Sequence, residues 1–238
     1  MSHRTAWGRA LAVAVGSALA ACALEAQFHV SLPRGTVSPV IATADHRVDA
    51  GFGREQTAGL LFGGQLDIEP DERFLVSLRA LGGTLEVDHS TPLADSRSVG
   101  ELTLGTRMEL LPWLRGTASV TGRSYEGALA RQHWSELAVG GEAHLPIIDG
   151  LVDGSLGLSL VPLVKVTGRE APDLAVSGIA RLRHAGERFD IAIGYSIESY
   201  NFPTVRGVDR VEEFSMLYLR AGVRIGPRRS RGQAAATR

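Results

Sequence analysis

Between Ser98 and Tyr125 the chain alternates apolar and polar residues almost one for one. From Gly100 every second residue is Leu102, Leu104, Thr106, Met108 and Leu110, and between them stand Glu101, Thr103, Gly105, Arg107 and Glu109. After Leu111-Pro112-Trp113 the pattern resumes, with Leu114, Gly116, Ala118 and Val120 on one side and Arg115, Thr117, Ser119, Thr121 and Arg123 on the other. A period of two belongs to a β-strand with one apolar and one polar face, and two such strands about a tight turn make a hairpin. Ionic groups run along the whole polar face, so that face meets either bulk water or a lumen in which charges pair.

The same rhythm fills most of the chain. Strands are expected over Gln56 to Ile68, Phe74 to Val87, Trp134 to Leu145, Val152 to Val166, Leu174 to His184, Phe189 to Tyr200 and Phe214 to Ile225. In the second of these the apolar register slips between Ala80 and Leu81, beside Gly82-Gly83, which predicts a β-bulge. Pro33 and Pro39 reduce Phe28 to Ala44 to an irregular or edge strand, because proline removes a ladder donor. Asp45 to Glu55 and His89 to Arg97 read as loops, as do Glu126 to Gln132, Gly168 to Asp173 and, longest of all, Asn201 to Glu213. Connections at Glu69, Leu111, Pro146 and Ala185 are short, so tight turns gather at one end of a meander and long loops at the other. No amphipathic helices alternate with the strands.

At the N-terminus His3, Arg4 and Arg9 precede an uncharged run from Ala10 to Leu24, the plan of a secretory signal peptide and too short to span a bilayer as a helix. Residues 1–26 are assigned to it. Small residues at Ala21, Ala23 and Ala26 suit ordinary signal peptidase, the preferred reading, while Leu19-Ala20-Ala21-Cys22 also fits a lipobox that would acylate Cys22. That cysteine is the only one in the chain, which removes any intrachain disulfide. The 25 basic and 26 acidic residues give no global pull toward nucleic acid, which is not expected as a partner.

Exported, all-β, with short turns at one end and long loops at the other, the stretch from Gln56 to Ile225 resembles the bacterial outer-membrane β-barrel proteins. The resemblance implies an antiparallel up-and-down transmembrane barrel at residues 27–226, short turns facing the periplasm, and outer-membrane lipid and the barrel assembly machinery as partners. Nine strands from Gln56 violate the even count of such barrels, so Phe28 to Ala44 supplies a tenth; eight strands is the alternative. The family often ends on an aromatic residue, whereas Pro227 to Arg238 here form a basic tail expected to lack fixed structure. Aromatics near strand ends, Phe74, Trp113 and Phe189 by the turns and Tyr125, Trp134, Tyr200, Phe202 and Phe214 by the loops, resemble two interfacial girdles.

Apolar-out orientation would turn Glu101, Arg107, Glu109, Arg115, Arg123, Glu136, Glu142, Lys165, Arg181, Arg183, Asp190, Glu198, Arg220 and Arg224 into the lumen, with Asp67, Arg79 and Glu86 beside them. A soluble lipocalin-like periplasmic barrel would reverse the faces. A barrel this narrow is filled by its side chains, and its charges must pair. The reading is a small closed barrel serving envelope structure, or binding an extracellular or cell-wall ligand through its loops, with a narrow pore as the alternative. Asp45-His46, Asp88-His89, Asp95 and His133 near the loop end make a hydrolytic rim conceivable, but Asp and His are ordinary loop residues and an enzyme is not expected. No cofactor fingerprint or zinc spacing is present, so neither cofactor nor metal is assigned.

Overall fold

The computed structural model describes residues 34–226 apart from 52, 72, 90–95, 128–130, 149–150 and 187, and apart from the side chains of 88 and 89. The signal-peptide, Cys22 and C-terminal-tail expectations lie outside the described residues. Ten strands follow one another: β1 (Arg34–Ala50), β2 (Gly53–Glu69), β3 (Phe74–His89), β4 (Arg97–Leu111), β5 (Leu114–Glu126), β6 (Arg131–Ile148), β7 (Val152–Val166), β8 (Leu174–Ala185), β9 (Phe189–Val205) and β10 (Val208–Ile225). Each pairs antiparallel with its sequence neighbours, and β1 pairs with β10 from Gly35↔Ile225 to Ala50↔Arg210, closing the barrel. Closure removes both sheet edges, the only way a sheet can satisfy its backbone in lipid.

Several sequence expectations are corrected. From Arg34 on, the segment expected as an irregular or edge strand is not an edge: β1 is 17 residues long and in ladder register with both neighbours, Pro39 standing opposite Gly64. The predicted loop at Asp45 to Glu55 is strand up to Ala50 and again from Gly53. The predicted loop at Asn201 to Glu213 is the top of a hairpin that turns only at Arg206-Gly207, where φ is 54° and 75°. Positive φ at both central positions is the two-residue hairpin turn whose twist matches the strands, and Gly207 takes it without steric cost. At 12 to 18 residues the strands outrun the membrane. A 17-residue strand is about 55 Å long at 3.3 Å per residue, whereas the apolar band of such barrels is about 25 Å tall.

The predicted bulge in β3 is absent. Register with β2 runs unbroken from Thr57↔Val87 to Ile68↔Val76, and with β4 from Phe74↔Met108 to Leu85↔Arg97. Leu81 and Leu85 therefore point inward, where they are buried, and Glu86 points outward and is exposed, contrary to the lumen position expected for it. The apolar slip marks a change in what the lumen holds, not a change of backbone. A bulge does occur in β7: Leu137 pairs with Leu163 but Val139 with Leu160, so β7 carries one extra residue at Val161-Pro162. Past it Val164 and Val166 face in and Lys165 faces out, exposed, so Lys165 is not a lumen charge. The strand is bulged where a proline could not have donated to the ladder.

Close approach of neighbouring strands demands glycine at a few interior positions. At Gly63 a Cβ would lie 1.9 Å from the Ala80 carbonyl oxygen, so any side chain there would force the β2–β3 ladder apart.

Candidate functional site

Ten strands enclose a lumen slightly wider than the eight-stranded barrel that ordinary side chains just fill, so long and branched polar groups are needed to span it. Inward positions of successive strands supply them in layers. The ends of the barrel are distinguished as the turn end, where Arg34 and Ile225 also lie, and the loop end.

The layer nearest the turn end is built on Arg220, whose side chain is 2% exposed. Its Nη1 donates to Asp67 Oδ2 at 2.5 Å and its Nη2 to Asp190 Oδ1 at 3.3 Å. Asp190, fully buried, also accepts from Arg183 Nε at 2.7 Å, and Arg224 stands 3.6 Å away. One level up, the buried Glu142 is approached by Arg181 at 3.3 Å, Arg107 at 3.6 Å and Arg115 at 4.0 Å. Arg181 Nε donates to the Tyr218 hydroxyl at 3.1 Å. That ring lies over Gly194, where a Cβ would be 2.4 Å from it. Glu109 is exposed at the turn-end mouth.

The third layer crosses the barrel. Glu101 accepts from Arg79 Nη2 at 2.8 Å and from Arg123 Nε and Nη2 at 2.9 and 2.8 Å, and Arg123 reaches on to Glu198 at 2.8 Å. The Tyr200 hydroxyl lies 2.5 Å from Glu136 and 2.9 Å from Glu198. The Arg123 guanidinium carbon sits 3.9 Å from the centroid of the Phe214 ring, a cation–π contact on its loop-end side.

Above this the lumen turns apolar. Tyr125, Trp134, Tyr200 and Phe214 are buried inside the barrel, together with Leu61, Leu85, Val99 and Met216. His46 stacks on Tyr125 with ring centroids 4.9 Å apart, and Trp134 meets Tyr200 edge-on at 5.0 Å. These four aromatics are thus a plug and not the girdle expected of them: they face inward, and Tyr200 and Phe214 lie within the β9–β10 ladder and not at strand ends. Trp113 and Phe189 at the turn end are exposed on the outside. At the mouth Glu212 gathers His46 Nε2 at 3.3 Å, Arg210 at 2.6 Å and, from the β7–β8 loop, Arg169 at 3.9 Å. Burial, and then the neighbouring Arg210, push the Arg169 guanidinium below its usual value. Arg97 pairs with Glu55 alongside.

The mouth charges Glu212, Arg210, Arg169, Arg97 and Glu55 escape the sequence reading. Glu212 and Arg210 lie in the segment taken for a loop, where both faces of the hairpin are polar and no alternation marks a strand. The rim acids and histidines do not converge: His46 points inward to Glu212 while its neighbour Asp45 points outward and accepts from Gln56 at 2.5 Å. His133 is exposed, and Asp95 and the side chains of Asp88 and His89 lie outside the described residues.

The outer wall has the opposite chemistry. Leu102, Leu104, Val139 and Ile193 are 45–50% exposed, and Leu158 is 78% exposed. Outward leucines, isoleucines and valines from all ten strands form an apolar belt that no water-soluble monomer carries. The belt begins at the turn end and stops short of the loop end, where outward positions become Asp49, Arg54, Glu86, Glu126, Arg131 and Lys165. With Arg220, Arg123 and Asp190 inside and the leucines outside, the lipocalin-like alternative is reversed on every strand. The protein is a membrane-spanning β-barrel.

No protein-family model matches the chain, and no curated protein matches it in sequence. Solved outer-membrane barrels match it in structure. The outer membrane protease OmpT from Escherichia coli is 9% identical with a TM-score of 0.49, the match covering 85% of this chain and 99% of that one. The translocator domain of the autotransporter NalP from Neisseria meningitidis is 13% identical, with a TM-score of 0.43, over 91% and 96%. Ail, the attachment invasion locus protein of Yersinia pestis, is 12% identical, with a TM-score of 0.34, over 80% and 99%.

Proposed function

We propose that this barrel is a closed envelope protein whose working surface is its loop end, not a conduit. The observation that carries the reading is the apolar layer across the loop-end lumen, where Leu61 and Leu85 are fully buried and Met216 nearly so. Aqueous pores are lined by polar groups and come from barrels of many more strands. The ion-paired layers beneath contribute a rigid scaffold, since each buried charge holds its partners in one geometry.

On this reading the long strands lift a polar collar clear of the bilayer on the extracellular side. Its charges are cross-strand pairs of both signs: Arg54 donates to Asp49 at 2.9 Å, Arg47 lies 3.6 Å from Glu213, and Arg131 pairs with Glu126. A mixed-charge rim suits loop-mediated contact with a polar extracellular or cell-wall ligand, while the belt below holds outer-membrane lipid. Assembly through the barrel assembly machinery follows from the architecture. The test is conductance of the purified full chain in planar lipid bilayers. Steps no larger than the bare bilayer are expected; steady, reproducible channel steps would replace this reading with a narrow pore.

A further inference from the structure

We propose that the mid-lumen of this barrel is a binding chamber for a small oxyanion. A cavity of about 200 Å³ lies between the Glu101 and Glu142 layers. Its wall carries the guanidinium groups of Arg79, Arg107, Arg181 and Arg220 and a ring of hydroxyls that includes Thr103, Thr117, Ser119, Ser159, Ser177 and Ser196. A smaller cavity of about 80 Å³ at the turn end is lined by Arg107, Arg115 and Arg183, so Arg107 is a wall common to both.

Charge in the lumen is not evenly shared. Among the described residues of the loop-side half, Glu101, Glu198, Glu212 and Glu55 meet Arg79, Arg123, Arg97, Arg169 and Arg210, while Glu136 accepts from the Tyr200 hydroxyl. Inside the mouth of the turn-side half, Asp67, Glu142 and Asp190 meet Arg107, Arg181, Arg183 and Arg220, one guanidinium more than the carboxylates. Glu142 alone faces three guanidinium groups, none closer than 3.3 Å, and its Oε1 has no hydrogen-bond partner among the described residues. Arg115, Arg224, Glu69 and Glu109 stand at the mouth, where solvent reaches them. Cations held away from bulk water need compensation. Within the chamber wall, the buried Arg79 Nε and Arg220 Nε likewise lack partners among the described residues.

An anion seated beside Arg107 and Arg181 would supply the missing negative charge. The chemistry of the wall narrows its class. Guanidinium forks match the paired oxygens of a phosphate, sulfate or carboxylate, and the hydroxyls can each donate to a further oxygen. The small volume excludes anything much larger. Arg107, common to the walls of the chamber and of the turn-end cavity, marks the turn end as the side of entry. The inference is independent of what the loops bind, and a closed loop end is compatible with it.

The test is titration of the folded full chain in detergent micelles with inorganic phosphate, read by isothermal titration calorimetry and by phosphate-dependent protection against urea. Saturable binding of one phosphate per barrel is expected. Arg107→Gln should weaken it about tenfold, the share of one charge-assisted hydrogen bond. Glu142→Gln, which removes the carboxylate that competes for the same guanidinium groups, should tighten it. The outer-collar variant Arg54→Gln should leave it unchanged. Absence of saturable binding to the unmodified protein below about 10 mM phosphate overturns the proposal without any variant having to fold. Equal displacement by chloride would overturn the oxyanion assignment, since a sphere cannot use the fork geometry.

Discussion

Replacing Arg220 by methionine tests whether the Arg220–Asp67–Asp190 layer is a buried ion-paired layer. Arg220 is 2% exposed and holds Asp67 at 2.5 Å and Asp190 at 3.3 Å. After Arg220→Met, Asp190 keeps Arg183 at 2.7 Å and Arg224 at 3.6 Å, so its loss is minor. Among the described residues Asp67 then keeps one hydrogen bond, from the neutral Gln65 amide at 2.7 Å, with Arg107, Arg181 and Arg183 acting on it from beyond ion-pair distance. The cost is therefore that of one buried carboxylate stripped of its cation, about 3–5 kcal/mol. The same pair in a water-filled channel would be worth about 0–1 kcal/mol. The assay is urea unfolding of the full chain in detergent or lipid, followed by tryptophan fluorescence and by unheated gel mobility. Adding Asp67→Asn removes the stranded charge, so the double variant should recover most of the loss, with a coupling of about 2–3 kcal/mol. A single variant costing less than about 1 kcal/mol, or a double variant no more stable than the single one, would refute the buried pairing.

Other outcomes follow from the same geometry. Leu158→Arg places a charge on the most exposed part of the lipid-facing belt and should cost about 2–4 kcal/mol in lipid, whereas Lys165→Leu on the collar should be close to neutral; similar costs at both sites in urea titrations would mislocate the belt. Gly194→Val drives its side chain into the Tyr218 ring and so removes the hydroxyl that Arg181 uses; a loss of about 1–3 kcal/mol is expected, and full retention of the unfolding midpoint would count against that packing. Arg206→Asn relieves a non-glycine residue at φ 54° and should stabilise the hairpin by about 0.5 kcal/mol, seen as slower proteolysis at the β9–β10 turn; faster cleavage would contradict the turn geometry.

How far the fold was legible depends on where each strand sits relative to the membrane. Within the belt one face meets lipid and the other meets paired ions, so hydropathy alternates and the strands from Leu102 to Leu219 can be read directly. Beyond the belt both faces are polar, and the upper parts of β1, β2, β9 and β10 look like loops although the ladder continues through them. The tenth strand was recoverable from parity alone. Nothing in its own residues announced that Pro39 would be accommodated in a closed ladder.

The layers of the site divide in the same way. That Glu101, Arg123, Glu142, Arg181 and Arg220 share one face follows from spacing, because a strand offers only two faces. Which of them pair does not follow, since Arg123 and Glu198 are 75 positions apart and meet only when the cylinder closes.

Alternation and turn spacing thus determined an all-β meander with an ionic side and a greasy side, because alternation is a property of a residue and its next-but-one neighbour. The tertiary structure alone decided that an apolar slip is a bulge at Val161-Pro162 but an inner layer at Leu81 and Leu85, and that Tyr125, Trp134, Tyr200 and Phe214 plug the barrel instead of ringing it. The physical reason is that face and register across a closed sheet are set by the strands on either side. An apolar side chain gains as much from a packed lumen as from lipid, so its hydropathy cannot say which one it will find.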